Sequence, residues 1–289
     1  MLTSPKYRDI DVVYAGARTV VYRAVRLQDH RSVMIKMLRD PHPTFRELVQ
    51  FRNQYVITQH VESPFVVKPL ALERHGNSYG LVMPEGGAIA LESYWGGGDR
   101  TVGELLSVAI QLSDALHLLA GRQIIHKDIK PANILIHPET RQIQLIDFSI
   151  SSLLPKEQQQ LMPPAGLEGT LAYIAPEQTG RMNRGVDYRT DFYGLGVTLY
   201  ELMTGRLPFI SNDPLELLHC HIAQPPPAPT DILAGQGQAY SSTLSAIILK
   251  LMAKNAEDRY QSALGLKHDL ERCLQSWEET GEIAEFELG

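Results

Sequence analysis

The most constraining feature of the sequence is a series of motifs between His126 and Glu177. HKDIKPANILI begins at His126, DFS begins at Asp147, and GTLAYIAPE begins at Gly169 and ends at Glu177. Each residue type is ordinary by itself, since a lone Asp in a loop is usually a turn or cap residue. The order and spacing of the three motifs are not ordinary. They indicate one site assembled from separate parts of the chain.

The residue types in these motifs meet the needs of phosphoryl transfer. That reaction needs a base that orients the attacking hydroxyl, oxygen ligands for magnesium, and cations near the phosphates. Asp128 is placed as the base and Lys130 as a contact to the γ-phosphate. Asn133 and Asp147 supply oxygen ligands for magnesium, with Asp147 as the principal metal carboxylate. The motifs therefore predict a site that uses ATP and Mg²⁺.

Hydrophobic periodicity divides the chain into a sheet-rich first third and a mostly helical remainder. DVVYAG, VVYRAV and SVMIKML are rich in β-branched residues and are separated by polar turns, which predicts an antiparallel sheet. Helical spacing of apolar residues follows from Thr44 to about His60. FVVKPLALE and SYGLVMPE predict two further strands, and a long helix is predicted from Thr101 to Gly121. NILI and IQLID predict short strands, after which helices dominate.

With these motifs the sequence resembles the eukaryotic-like (Hanks-type) bacterial serine/threonine protein kinases from about Tyr7 to Leu274. The resemblance rests on VMIK ending at Lys36, on the LVMPE hinge, and on HKDIKPAN, DFS and APE. It also includes DYRTDFYGLGVTLYELMTGRLPF. The resemblance implies ATP-dependent phosphorylation of Ser or Thr in a protein substrate. Lys130 together with Thr170 matches the Ser/Thr class rather than the Tyr class.

The same resemblance implies a bilobal α+β kinase fold over residues 1–275. A small antiparallel β-sheet lobe with one main helix is expected over about 7–83, and a larger, mostly helical lobe over about 87–275. EQTGRMNRGVDYRTDFYGLG and DPLELLHCHIAQPPPAP look like the N-terminal kinase domain of large cyanobacterial proteins. In those proteins an ATPase module, a GAF domain and a sensor histidine kinase follow. Residues 276–289 are then an acidic tail or a linker toward downstream domains, rather than a packed element.

Individual site residues are carried over from the family by position. The catalytic set is Asp128, Lys130, Lys36 and Thr170. The expected nucleotide-binding set is Gly16, Val21, Met34, Lys36, Met83, Pro84, Gly86, Asn133 and Asp147, of which Asn133 and Asp147 also hold the metal. Two structural roles are implied as well: Arg259 pairs with Glu177, and Asp191 caps the backbone of the catalytic loop.

Several positions depart from the family pattern. Gly16 is the central glycine and the one that remains of the usual three in the phosphate loop. Gln54 stands where active members have a glutamate that aims Lys36, while Glu47 lies seven residues earlier. Ser149 replaces the glycine of DFG. These departures favour an alternative, a pseudokinase that binds nucleotide or partner proteins and regulates downstream domains.

The activation segment also departs from the family pattern. Lys127 replaces the arginine of the usual HRD motif, and Lys lacks the planar two-pronged grip of Arg on a phosphate. No Ser, Thr or Tyr occurs from Leu153 to Gly169. Activation by phosphorylation of this stretch is therefore not expected.

Composition limits the remaining possibilities. A net charge of −6 argues against a nucleic-acid-binding surface. The N-terminus has no apolar core of signal-peptide length, and polar residues interrupt the apolar runs, so we expect a cytoplasmic protein without a membrane span. Cys220 and Cys273 are expected to be reduced thiols. His219 and His221 flank Cys220, but we expect two helix-surface residues there rather than a metal site.

Overall fold

The computed structural model describes residues 4–98, 100–153, 171–182, 184–234 and 241–289. Within these residues an antiparallel sheet lobe precedes a larger helical lobe. The predicted bilobal α+β fold is confirmed.

The small lobe is built on a five-stranded antiparallel sheet in the order β1-β2-β3-β5-β4. Its strands are β1 (Tyr7–Ala15), β2 (Thr19–Arg26), β3 (Ser32–Leu38), β4 (Ala71–His75) and β5 (Ser78–Pro84). Side chains alternate between the two faces of a strand, so Val33 and Ile35 of β3 are fully buried against Tyr22 and Ala24 of β2. Lys36 therefore points to the opposite face, which is the face toward the large lobe.

Helix α1 (Phe45–Thr58) crosses the small lobe between β3 and β4. It begins where predicted because Thr44 and Glu47 form a capping box, in which each side chain accepts a hydrogen bond from the other residue's backbone N–H. Its buried side includes Phe51, Gln54 and Ile57. The capping box thus fixes the start of the helix, and burial of this side fixes its rotation.

The large lobe combines seven helices and a small sheet among the described residues. The helices are α2 (Leu91–Trp95), α3 (Val102–Gly121), α4 (Arg189–Thr204), α5 (Pro214–Ala223), α6 (Pro229–Ala234), α7 (Ser242–Leu251) and α8 (Ala263–Thr280). The sheet has the order β6-β7-β8, with β6 (Ile89–Ala90), β7 (Ile134–Ile136) and β8 (Ile143–Leu145). Helix α4 is buried along nearly its whole length, so it forms the centre of this lobe.

Helix α3 is long and apolar enough to cross a membrane by length and composition alone. The expectation that polar residues interrupt every apolar run before that length does not hold for it. Half of its apolar window is buried inside the fold, and it packs against α8. A core helix of this kind accounts for the composition of α3.

The C-terminal residues are packed, which the sequence did not predict. Helix α8 continues to Thr280, five residues beyond the expected end of the domain, and the segment 281–289 turns back onto α7 and α8. The Thr243 hydroxyl donates to the carbonyl oxygen of Ala284 at 3.0 Å, and the Arg272 guanidinium lies 3.8 Å from the ring centroid of Phe286. The prediction of an unpacked tail was wrong because the apolar residues of this acidic segment find a surface distant in sequence.

The prediction that His221 lies on the helix surface was also wrong. His219 is exposed as expected, but His221 is fully buried. The Tyr193 hydroxyl lies 2.9 Å from His221 Nδ1, and the Phe209 ring packs edge-on against the imidazole. Helical spacing explains the difference, because position 221 shares the inner side of α5 with Leu217 and Leu218.

Candidate active site

The catalytic loop is held by one carboxylate from the central helix. Asp191 lies in the first turn of α4 and accepts hydrogen bonds from the backbone N–H groups of His126 at 2.8 Å and Lys127 at 2.7 Å. Lys127 has a φ of +69°, a conformation that is costly for a residue with a Cβ. The two hydrogen bonds from a buried acceptor hold this turn in place. The predicted cap by Asp191 is confirmed.

Asp128 lies at the centre of a network of polar side chains. The Asn133 amide donates to the Asp128 backbone carbonyl at 2.9 Å and to Oδ2 at 2.7 Å. The Lys130 ammonium donates to the same Oδ2 at 2.8 Å. Oδ1 of Asp128 is buried and has no hydrogen-bond partner among the described residues. The network thus fixes the carboxylate and leaves one oxygen able to accept a proton or a hydrogen bond.

Asp147 is placed opposite this network by a left-handed backbone turn with a φ of +65°. Lys36 Nζ lies 2.8 Å from its Oδ2, and Oδ1 is buried without a partner in the described part of the chain. Burial by itself raises the pKa of Asp147, but the Lys36 charge and the Lys36 and Ser149 hydrogen bonds outweigh it and hold the pKa at about 2. Asp147 is therefore a carboxylate at neutral pH, and Ser149 helps to keep it so.

Lys36 reaches α1 through an amide rather than a carboxylate. Its ammonium donates to Gln54 Oε1 at 3.3 Å, and both residues are buried. Glu47 instead belongs to the capping box, where its Oε2 accepts from the Thr44 backbone N–H at 2.8 Å. The alignment that pairs Lys36 with Gln54 is confirmed, and Glu47 is excluded as the partner in this arrangement.

The expected nucleotide-contacting residues lie side by side on one face of the sheet. Val21 is directly across from Lys36 in the β2–β3 pairing, and Met34 is directly across from Met83 in the β3–β5 pairing. Residues opposite each other in an antiparallel pair point to the same face. These four side chains therefore line the roof of the cleft between the lobes.

The two ends of this roof are the phosphate loop and the hinge. Gly16 closes the β1–β2 turn by donating its N–H to the Thr19 carbonyl at 2.9 Å, and its own carbonyl accepts from Arg39 at 3.2 Å. In the hinge, Pro84 is exposed at the end of β5, and Gly86 is exposed two residues later. The expectation that their main-chain atoms contact adenine stays a prediction.

Magnesium fits two neighbouring residues of the large lobe, since the Ile146 backbone N–H donates to the Asn133 carbonyl at 3.0 Å and so places Asp147 beside Asn133. Asp147 contributes a buried, unpartnered carboxylate oxygen, and Asn133 uses its amide nitrogen toward Asp128, which leaves its Oδ1 as a ligand atom. No group of three or more His, Cys, Asp or Glu among the described residues is arranged to hold a metal. A site with so few protein ligands suits Mg²⁺, which binds through one or two carboxylates together with phosphate oxygens.

The expected ion pair of the large lobe is present and buried. Arg259 donates to both carboxylate oxygens of Glu177, at 2.7 and 2.9 Å, and the Thr190 hydroxyl donates to the same carboxylate at 2.8 Å. Glu177 and Arg259 are only 3% and 2% exposed. This bidentate pair anchors the APE motif to the centre of the lobe.

Two further contacts near the site were not predicted from the sequence. The Gln178 amide donates to the Lys127 carbonyl at 2.9 Å, which ties the residue after the APE motif to the catalytic loop. The Asn53 amide donates to the Ser151 carbonyl at 2.8 Å, which ties α1 to the start of the activation segment. Asn53 and Gln178 belong to none of the motifs, so the sequence alone could not predict these two contacts.

Part of the predicted site lies outside the described residues. This part contains Thr170 and residues 154–169, a stretch without Ser, Thr or Tyr. The assignment of Thr170 stays a prediction.

Comparison with known proteins adds independent findings. A family model described as the protein kinase domain matches residues 7–270. The chain is 30% identical over 277 residues to the serine/threonine-protein kinase PknB of Mycobacterium leprae, covering 93% of this chain and 43% of that protein. It is 38% identical over 186 residues to the serine/threonine-protein kinase Pkn1 of Myxococcus xanthus, covering 63% of this chain and 26% of that protein. The chain thus spans less than half the length of these curated relatives.

Proposed function

The chain belongs to the protein kinase domain family, and from this premise we propose that it transfers the γ-phosphoryl group of ATP to serine or threonine hydroxyls of another protein. The observation that carries the proposal is the convergence of five polar side chains from both lobes. These are Lys36, Asp128, Lys130, Asn133 and Asp147. A fold that served binding alone would have no need to keep all five in this geometry.

Asp128 acts as the base in this proposal. Its Oδ2 is occupied by Lys130 and Asn133, so the unpartnered Oδ1 is the oxygen that orients and accepts the proton of the attacking hydroxyl. Lys130 lies 2.8 Å from the same carboxylate, where its ammonium can also contact the transferred phosphoryl group. Thr170 is proposed to complete the catalytic set, as expected for the Ser/Thr class.

Lys36 and Asp147 hold the nucleotide end of the site. Lys36 directs its charge toward the α- and β-phosphates, and Asp147 together with Asn133 provides the oxygen ligands for Mg²⁺. Magnesium supplies charge neutralisation at the phosphates when it is bound. Gly16, Val21, Met34, Met83, Pro84 and Gly86 are proposed to enclose the nucleotide along the roof and the hinge.

We place this activity in bacterial signalling in the cytoplasm. The chain covers 43% of the length of the PknB relative, which supports a role as one domain of a longer protein. The net charge of −6 supports a protein rather than a nucleic-acid substrate.

A pseudokinase is the second candidate, and one observation favours it. Lys36 meets the neutral amide of Gln54 at 3.3 Å, where a carboxylate would make a stronger bond between two opposite charges. The position of α1 that supports catalysis is less stabilised in consequence.

Labelled ATP and mass spectrometry of the modified protein distinguish the two candidates. We expect Asp128→Asn to abolish transfer while leaving the affinity for Mg·ATP within a few-fold, because the base does not hold the nucleotide. Asp147→Asn should weaken binding of the metal–nucleotide complex. Asp114→Asn, which weakens a half-buried ion pair with Lys267, is the matched control and should retain activity. Wild-type protein that transfers no phosphate but is stabilised by Mg·ATP against heating would establish the pseudokinase.

A further inference from the structure

A cavity of about 380 Å³ lies on the small lobe, away from the nucleotide cleft. Its floor is formed by Val20, Tyr22 and Met37. Val20 and Tyr22 flank Val21 in β2, and Met37 follows Lys36 in β3, so alternation along the strands places the floor on the sheet face opposite the cleft. The cavity is therefore a site distinct from the one that faces ATP.

The rim of this cavity carries hydrogen-bond donors in excess of their partners. The Ser78 side chain is 5% exposed, and its Oγ has no partner among the described residues. The Arg39 guanidinium has five N–H donors, and the one bond found for it within the described chain goes to the Gly16 carbonyl at 3.2 Å. A buried hydroxyl without a partner is costly, so Ser78 is a donor that an added hydrogen-bond acceptor at this edge of the cavity would satisfy.

Two further side chains of the rim add to this excess. The Asn77 amide nitrogen lies 3.4 Å from Nδ1 of His42. When Asn77 donates this bond, Nδ1 is the acceptor and the imidazole proton is on Nε2. The Nε2–H group and the second amide hydrogen of Asn77 then remain as donors. Asp40 is the carboxylate among the lining residues, and its Oδ1 already accepts from the His42 backbone N–H at 2.8 Å. The rim thus favours an acceptor-rich, negatively charged group over a cation.

From these observations we propose that the cavity binds a small molecule with an apolar body and one anionic group, either a carboxylate or a phosphate. The body packs on Val20, Tyr22 and Met37, and the anion accepts hydrogen bonds from Arg39, Asn77 and Ser78. The volume is in the range of sites for small ligands. This site does not depend on the proposed catalytic activity.

Arg39 gives the site a route to the phosphate loop. Its guanidinium bonds the Gly16 carbonyl, and its backbone N–H donates to the Arg18 carbonyl at 2.8 Å. An anion that draws the guanidinium into the cavity competes with the Gly16 carbonyl. Occupancy of the cavity therefore loosens the β1–β2 turn.

Phenyl phosphate and phenylacetate are suitable probes, with neutral benzyl alcohol as the control. Each is titrated into the ¹⁵N-labelled chain while backbone amide shifts are followed by NMR. We expect saturable shifts at Gly76, Asn77 and Ser78 for at least one anion. The anion that binds more tightly identifies phosphate or carboxylate as the group that the rim accepts. A smaller shift at Gly16 should accompany them.

Two variants and one control complete the test. Arg39→Gln removes a charge-assisted donor, and Asn77→Asp places a negative charge at the rim. Each variant should therefore weaken binding of the anions about tenfold and leave binding of benzyl alcohol unaffected. Both side chains are exposed, so neither change removes a buried contact. Arg46→Gln, an exposed arginine outside the cavity, should change nothing. The proposal is overturned if neither anion gives saturable shifts at 76–78, if the shifts centre on Gly86 in the hinge, or if benzyl alcohol binds as tightly as the anions.

Discussion

Replacing Gln54 by glutamate tests the contact between Lys36 and helix α1. The Lys36 ammonium now donates to a neutral amide oxygen at 3.3 Å, while Asp147 attracts it from the other side at 2.8 Å. A carboxylate at position 54 would add a full negative charge to this hydrogen bond, whose donor is already charged, and so convert it into an ion pair. The gain is about 1 kcal/mol, since a typical net hydrogen bond contributes about that much.

That free energy corresponds to a measurable change in rate. About 1 kcal/mol is a factor of about five, so we expect Gln54→Glu to raise kcat/KM for ATP about fivefold. Gln54 is 3% exposed, so the new carboxylate is desolvated, and Lys36 is the cation that offsets this cost. Initial rates at varied ATP and fixed protein substrate give kcat/KM, and calorimetric titration of Mg·ATP separates binding from turnover.

Two variants of the same helix serve as controls. Gln50→Glu makes the same chemical change one turn earlier and should leave kcat/KM unchanged. Glu47→Ala breaks the capping box with Thr44 and should lower stability by about 1 kcal/mol with little effect on kcat/KM. Glu47 could reach Lys36 only if α1 moved by two turns, about 10 Å. Loss of activity in Glu47→Ala with no change in Gln54→Glu would refute the pairing of Lys36 with Gln54.

Three further predictions concern activation, the buried ion pair and pH. Because residues 153–169 contain no hydroxyl side chain, freshly expressed protein should keep its activity after phosphatase treatment. Arg259→Met leaves the buried Glu177 carboxylate unpaired and should cost about 3–5 kcal/mol in denaturant unfolding. Burial, reinforced by the charge of Lys254, lowers the pKa of His221 to about 3. The unfolded chain therefore binds more protons below pH 6.5, so stability falls by about 2 kcal/mol between pH 6.5 and 5, a loss that His221→Gln should remove.

Each of these has an outcome that would contradict it. Inactivation by phosphatase would make Ser149, Ser151, Ser152 or Thr170 a required phosphosite. An Arg259→Met variant as stable as wild type would mean that the pair with Glu177 adds nothing to the fold. Equal pH dependence of wild type and His221→Gln in thermal unfolding would show that the buried imidazole is not the group that titrates.

The active-site pairs were predictable from the sequence because family motifs fix their roles and spacing. Lys36 with Gln54, and Arg259 with Glu177, needed no knowledge of packing. By contrast, Asn53 and Ser151 are 98 residues apart, and only the folded chain shows that they meet.

Burial was also hard to predict where polar residues conceal an apolar side. The acidic segment 281–289 packs through a few apolar residues, and His221 turns inward with Leu217 and Leu218 because of helical geometry. In the first case the decisive surface comes from elements distant in sequence, and in the second it comes from the helical arrangement of neighbouring residues. Composition averaged along the chain cannot reveal such a surface.

The burial of α4 has a consequence for the order in which the domain opens. Asp191 in its first turn holds the catalytic loop, Thr190 bonds Glu177, and a Cβ at Gly196 would lie 2.8 Å from that of Leu251 in α7. Amides enclosed on all sides exchange with solvent only when the surrounding elements separate. In deuterium exchange, we expect the amides of α4 to be the slowest of the chain and to exchange together. The strands of the small lobe, with their own smaller core, should exchange earlier and independently of them.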